Sequence, residues 1–202
     1  KFRPEIRQYL IESDRDKVPF SYQQRILVYR RAKNLPATQA FGSIIDPYQT
    51  GYEWLMQSLA PIPHPDPATL RVMVGGADCT QPYSLSIFNI SAMSYGSLSA
   101  NAIMALNKGA HMGGFAHDTG EGSVSEFHER HGGDLIWEIG SGYFGCRTKD
   151  GHFDPERFAE VAARPPIKMI EIKLSQGAKP AHGGVLPAAK ITPEIARTRG
   201  IP

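Results

Sequence analysis

Two hydrophobic patterns alternate along this chain. Leu70-Arg-Val-Met-Val74 and Ser84-Leu-Ser-Ile-Phe-Asn-Ile90 are short apolar runs broken by Gly75-Gly76 and Gln81-Pro82, which predicts strands. From Ser97 to Met112 the period changes to about 3.6, with Ala102, Leu106 and Ala110 on one stripe. Ser97 or Ser99 is available there as an N-cap, and Gly113-Gly114 as the stop. A short run, Phe115-Ala-His117, leads into the polar loop 118–123. Leu135-Ile-Trp-Glu-Ile139 is a predicted strand, followed by the loop Gly140-Ser-Gly-Tyr-Phe-Gly145. Asp154-Pro155 opens a helix through Phe158, Val161 and Ala162, which Pro165-Pro166 closes. Ile167-Lys-Met-Ile-Glu-Ile-Lys-Leu174 is the strongest predicted strand, and Thr192-Pro193-Glu194 starts a last helix that runs to Gly200.

Strand, loop, helix and strand recurring from about residue 85 predict an α/β fold with parallel strands joined by helical crossovers. The loop after each strand is the glycine-rich one, and in such folds ligands bind at the C-terminal edge of the strands. A complete (β/α)8 barrel takes about 250 residues. Residues 85–202 number 118, enough for roughly four units, so the expectation is a piece of a longer protein holding about the first half of a TIM barrel.

Residues 1–84 have a different texture and predict an α-rich N-terminal extension. Nine basic and four acidic residues within 1–35 are interleaved with Phe2, Ile6, Tyr9, Leu10, Ile26, Leu27 and Tyr29, as in amphipathic helices with a charged, solvated face. Pro61-Ile-Pro-His-Pro-Asp-Pro67 forbids helix and predicts an extended strap into the next domain.

Composition narrows the class. The net charge is only +2, which argues against a nucleic-acid-binding protein, and no apolar window is long enough for a membrane span. The two cysteines, Cys79 and Cys146, lack CxxC spacing and predict ordinary reduced thiols in a cytoplasmic protein, with an anchor ahead of Lys1 left open. Glycine is unevenly spread, 4 before residue 91 and 16 after, so the second stretch is where close backbone approach to a ligand is expected. His128-Glu-Arg-His131 lacks HExxH spacing; no metal site is assigned, and its histidines are expected in polar loops.

Three segments could carry chemistry. Met93-Ser-Tyr-Gly-Ser-Leu-Ser99 follows a strand, and its amides and hydroxyls suit a flavin edge or a phosphate; a helix N-cap accounts for Ser97 and Ser99 equally well. Thr119-Gly-Glu-Gly122 sets Glu121 between two glycines, either as a general base in a cleft or as a solvated turn glutamate. In Ile172-Lys-Leu-Ser-Gln-Gly-Ala-Lys-Pro-Ala-His-Gly-Gly184, strand parity puts Met169, Glu171 and Lys173 on one face. Lys173 there could offset charge at the edge of a reduced flavin, while Gln176 and Lys179 could donate to a substrate carboxylate.

These segments, in this order and followed by Gly183-Gly and Lys190-Ile-Thr-Pro-Glu-Ile-Ala, closely resemble the FMN-binding synthase domain of glutamate synthase over about residues 85–202. The resemblance implies an FMN-dependent TIM barrel in which 2-oxoglutarate condenses with ammonia, free or derived from glutamine, and 2-iminoglutarate is reduced to L-glutamate. It implies that Met93, Ser94, Tyr95 and Gly96 line the flavin, that Lys173 stands at the flavin edge, and that Gln176 and Lys179 hold the 2-oxo acid. Glu121 would lie beside the reacting atoms. An electron-donor protein or nicotinamide-linked subunit is an implied partner. An iron–sulfur cluster is implied only if further residues supply its cysteines. The chain departs from the family pattern at Tyr143, where Arg is usual, and at Ala181-His182, where Gly-Glu is usual. The competing expectations are a flavin- or phosphate-binding module or subunit without complete chemistry, and a related amine-transfer synthase.

Overall fold

A computed structural model describes residues 20, 22–36, 46–174 and 185–201. The chain divides into two units, Lys1–Pro61 and Ile62–Pro202. Residues 62–84 therefore group with the second unit, and the break falls at the first proline of the strap.

In the first unit the described helix is α1, Tyr22–Ala32. Arg30 and Arg31 sit in its last turn, where cations favour the negative end of the helix dipole. Leu27 and Val28 are exposed on it.

The second unit begins with an exposed, irregular stretch and a 3-10 turn at Pro67–Thr69, capped by Asp66, whose Oδ1 accepts from the Ala68 amide at 2.9 Å. Strand β1, Arg71–Val74, then pairs antiparallel with β2, Tyr83–Ser86. This corrects the expectation of one strand over 84–90 that begins the parallel series. Asn89 explains the break: its amide donates to the Ser86 carbonyl (2.6 Å) and its Oδ1 accepts from the Ala116 amide (3.0 Å), replacing ladder bonds. The chain re-enters parallel geometry only at an isolated bridge between Ile90 and His117.

Helix α2, Ala100–Gly113, starts at Ser99, whose hydroxyl accepts from the Ala102 amide, and stops at Gly114 in the left-handed conformation. The buried positions are Ile103, Asn107 and Ala110, so the buried stripe is turned by one residue from Ala102 and Leu106, which are half-buried. Asn107 sets this rotation. Its side chain donates to the Gly133 carbonyl and accepts from the Gly133 amide, which draws a polar residue into the interior with both valences satisfied.

Strands β3 (His117–Asp118), β4 (Leu135–Ile139) and β5 (Ile167–Ile172) form a parallel sheet in that order. β5 stops two residues short of the predicted run, although the Lys173 amide still donates to the Ile139 carbonyl. A single helical turn, α3 (Glu126–Glu129), and helix α4 (Pro155–Ala162) occupy the connections. β4 is buried on both faces, as befits a central parallel strand. Leu135, Trp137 and Ile139 point into a core with Val124, Cys146, Val161 and Phe158, the Trp137 and Phe158 rings stacking at 5.7 Å. The opposite face carries Ile136 and Glu138. Helix α5, Pro193–Arg199, is capped by Thr192 and closed by Gly200 in the left-handed region. Its Ile195 packs with Tyr95 and Ile103 in a second core.

The described residues thus form a mixed α/β arrangement with a two-stranded and a three-stranded sheet; a closed barrel is not among them. His128 corrects the expectation of loop histidines. It is fully buried in α3, its Nδ1 2.8 Å from the Ser125 hydroxyl and its Nε2 3.0 Å from the Met93 carbonyl. Both cysteines are free thiols, Cys79 exposed and Cys146 buried. Among the described residues no helix is long and apolar enough to cross a membrane.

Candidate functional site

At the C-terminal edge of the parallel sheet lies a cavity of about 450 Å³. Its wall brings together four residues singled out from the sequence, Met93, Ser94, Glu121 and Lys173, with Ser97, Glu138, Leu186 and Arg199. Met93 and Ser94 arrive on the loop after the Ile90 bridge, held by the Met93 amide bond to the Asp118 carbonyl and by His128 beneath. With Ser99 serving as the helix cap, Ser97 is left to face the cavity, where the Ser94 and Ser97 hydroxyls bond at 3.0 Å.

Glu121 depends on two missing side chains. Gly120 has φ +65°, and a Cβ there would stand 2.7 Å from the Ser94 amide nitrogen, so only glycine lets the two loops touch. A Cβ on Gly140 would come within 2.6 Å of a Glu121 carboxylate oxygen. The gap left by Gly140 is filled by the Glu121 side chain.

Lys173 lies between two carboxylates, its Nζ 3.5 Å from Glu138 and 3.9 Å from Glu121. Below it, Asp118, Glu138 and Glu171 each contribute an oxygen to a group spanning at most 4.8 Å across three neighbouring strands. Three carboxylates so close do not all ionise. Burial, above all, and then the Glu138 and Glu171 charges push the Asp118 carboxyl up to about 7, against the Gly120 amide bond that favours its ionised form. Burial also raises Glu138, with the Lys173 ammonium opposing that rise. The proton that burial keeps on Asp118 and the Lys173 ammonium beside Glu138 both reduce the negative charge gathered here.

Arg199 closes the far side. It is 7% exposed, and its Nη2 donates to the Tyr95 carbonyl at 3.3 Å. Burial lowers its pKa, and the Glu121 charge works the other way. Glu138 and Arg199 escaped the sequence reading. Glu138 was visible in principle as a lone charge in an otherwise apolar strand, whereas Arg199 had no local mark within an ordinary basic helix end.

Other residues stand elsewhere. Tyr95 is off the cavity wall: its hydroxyl donates to Glu194 at 2.8 Å and its ring packs on Phe127. Burial, with that bond to Glu194, pushes its pKa up to about 12. Gly96 is not among the wall residues, and a Cβ there would stand 3.3 Å from the Ile195 side chain and 3.4 Å from Leu186. Tyr143, at φ +50°, packs on Phe153 away from the wall. Gln176, Lys179 and Ala181-His182 lie outside the described residues.

Fold and site together define an α/β protein with a polar cavity at a parallel sheet edge, where a buried arginine and a lysine face paired carboxylates. Comparison with known proteins gives the family. The model for the conserved region in glutamate synthase matches residues 66–202, and the chain belongs to the glutamate synthase family. It is 32% identical over 247 aligned positions to the glutamate synthase large subunit-like protein YerD of Bacillus subtilis, covering all of this chain and 46% of that protein. It is 41% identical over 112 residues to an archaeal glutamate synthase [NADPH] of Archaeoglobus fulgidus, covering 55% of this chain and 19% of the relative. A glutamate synthase large subunit-like protein of Rhizobium meliloti is 32% identical over 132 residues, covering 65% of this chain and 27% of the relative. The chain thus spans less than half the length of each of these relatives. No solved structure matches it.

Proposed function

We propose that this chain carries part of the catalytic core of an FMN-dependent oxidoreductase of glutamate synthase type, which reduces 2-iminoglutarate, formed from 2-oxoglutarate and ammonia, to L-glutamate. The observation that carries the reading is Lys173, held between Glu121 and Glu138 on the wall of a cavity that Arg199 closes. The sheet β3–β4–β5 is proposed as part of a (β/α)8 barrel, with the unit Lys1–Pro61 as its N-terminal extension.

The wall suits an isoalloxazine ring. Apolar Met93, Leu98 and Leu186 offer a surface for the ring, while the Ser94 and Ser97 hydroxyls and the Lys173 ammonium suit its polar edge. When bound, FMN supplies the hydride. The protein's own part is positional and electrostatic. Arg199 presents a buried cation to one carboxylate of the 2-oxo acid, a role that Gln176 and Lys179 share in this proposal. Glu121 accepts a proton from the attacking ammonia as the C–N bond forms and returns it to the carbinolamine hydroxyl, which leaves as water and gives the imine. Lys173 offsets negative charge next to that centre, and Glu138 keeps its ammonium in place. Ammonia, free or from glutamine, and electrons from a donor protein or nicotinamide-linked subunit complete the proposal.

The roles are tested by measuring 2-oxoglutarate-dependent oxidation of the reduced flavin in the full-length protein. Lys173→Ala and Glu121→Gln are expected to lower that rate at least about 100-fold, in the range typical of a lost acid–base or charge-stabilising group, with the fold retained. Unchanged rates in folded variants would remove both assignments.

A further inference from the structure

Helices α4 and α5 and the loop after β4 converge on a second cavity, of about 270 Å³. Five arginines line it: Arg147 from the loop, Arg157 from α4, Arg164 just beyond α4, and Arg197 and Arg199 from α5. Among the described lining residues there is no carboxylate. Guanidinium groups collected in one cavity repel one another, and within the protein this is only partly offset. Arg157 pairs with Asp154 and Arg164 with Glu129, each at 3.6 Å and each in partly solvated positions where screening leaves an ion pair weak.

Arg147 and Arg199 are arranged differently. Both guanidinium groups lie over the ring of Phe144, at 5.5 and 5.1 Å from its centroid. Each donates one N–H to a backbone carbonyl, Arg147 to Gly142 and Arg199 to Tyr95. Each also keeps a buried Nε–H with no hydrogen-bond partner. Arg147 and Arg199 are thus oriented cations with an unused Nε–H each, and around them stand Arg197 and two arginines whose carboxylate partners are partly solvated.

We propose that this cavity, which shares Arg199 with the first, binds a phosphate group, free or as the phosphomonoester of a small metabolite. A tetrahedral dianion offers oxygens in several directions and meets guanidinium forks from three segments at once, whereas a planar carboxylate matches a single fork. The buried Ser123 hydroxyl adds a neutral donor on the same wall. The other four arginines belong to this cavity and not to the first, so its test needs neither flavin nor 2-oxo acid.

Calorimetric titration of the full-length protein with inorganic phosphate and with glycerol 3-phosphate, in a phosphate-free buffer, tests it. Saturable binding at one site is expected, weakened about tenfold by Arg157→Gln and by Arg197→Gln. Both side chains are exposed, so these variants should fold, which thermal melting checks. Lys149→Gln removes the same charge from an exposed position off the cavity wall and should leave affinity within about twofold. No saturable binding, equal binding of acetate, or an equal loss in Lys149→Gln would overturn the proposal.

Discussion

Asp118 gives the site a pH signature that a single substitution can isolate. Its carboxyl holds a proton up to about pH 7 in the folded chain, against an ordinary value of 3.8. Between those values the folded state binds more protons than the unfolded one, so Asp118 lowers stability as pH rises. The buried His117, lowered to about 4 chiefly by burial, acts in the opposite sense and takes stability away as pH falls from 6.5 towards 4. In the parent the two trends partly cancel. Asp118→Asn keeps an acceptor for the Gly120 amide but removes one trend, so its stability relative to the parent should climb steadily from pH 4 to pH 7 in urea titrations; a difference independent of pH would contradict the assignment. Glu121 and Lys173 were legible because glycine punctuation and strand parity are local signals. Asp118, Glu138 and Glu171 form a cluster only once three strands are in register, and no local pattern records that register.

At the scale of elements, the signals that succeeded were caps. Asp154-Pro155 and Thr192-Pro193 open their helices as written, and the Asp154 Oδ1 accepts from both the Glu156 and Arg157 amides at 3.1 Å. Asp154→Ala should therefore cost about 1 kcal/mol in denaturant unfolding, and no loss would mean that the cap is dispensable. Trp137→Ala, in a fully buried position stacked on Phe158, should cost about 3–5 kcal/mol by the same measurement. Non-local partners were not legible. The run 84–90 has strand composition throughout, yet pairing with Arg71–Val74 and the bonds made by the Asn89 amide divide it into a hairpin arm and a lone bridge. The rotation of α2 by one residue has the same origin, since the Asn107 partner at Gly133 lies 26 residues away.

For the whole molecule, family membership agrees with what the motif order implied, and Met93, Ser94, Glu121 and Lys173 stand around one cavity. The strand, loop and helix alternation was visible because each parallel strand ends in a glycine-rich loop, whereas closure of a sheet is a long-range pairing that no local pattern records. The central claim is that the cavity handles a 2-oxo acid beside a flavin. Its most direct test is rapid mixing of the full-length protein, with its flavin reduced, against 2-oxoglutarate plus ammonium, following the flavin absorbance. Reoxidation that requires both substrates, yields glutamate in proportion to flavin oxidised and disappears in Lys173→Ala is the predicted result. A protein that binds no FMN, or a reduced flavin whose oxidation is indifferent to 2-oxoglutarate, would contradict the account.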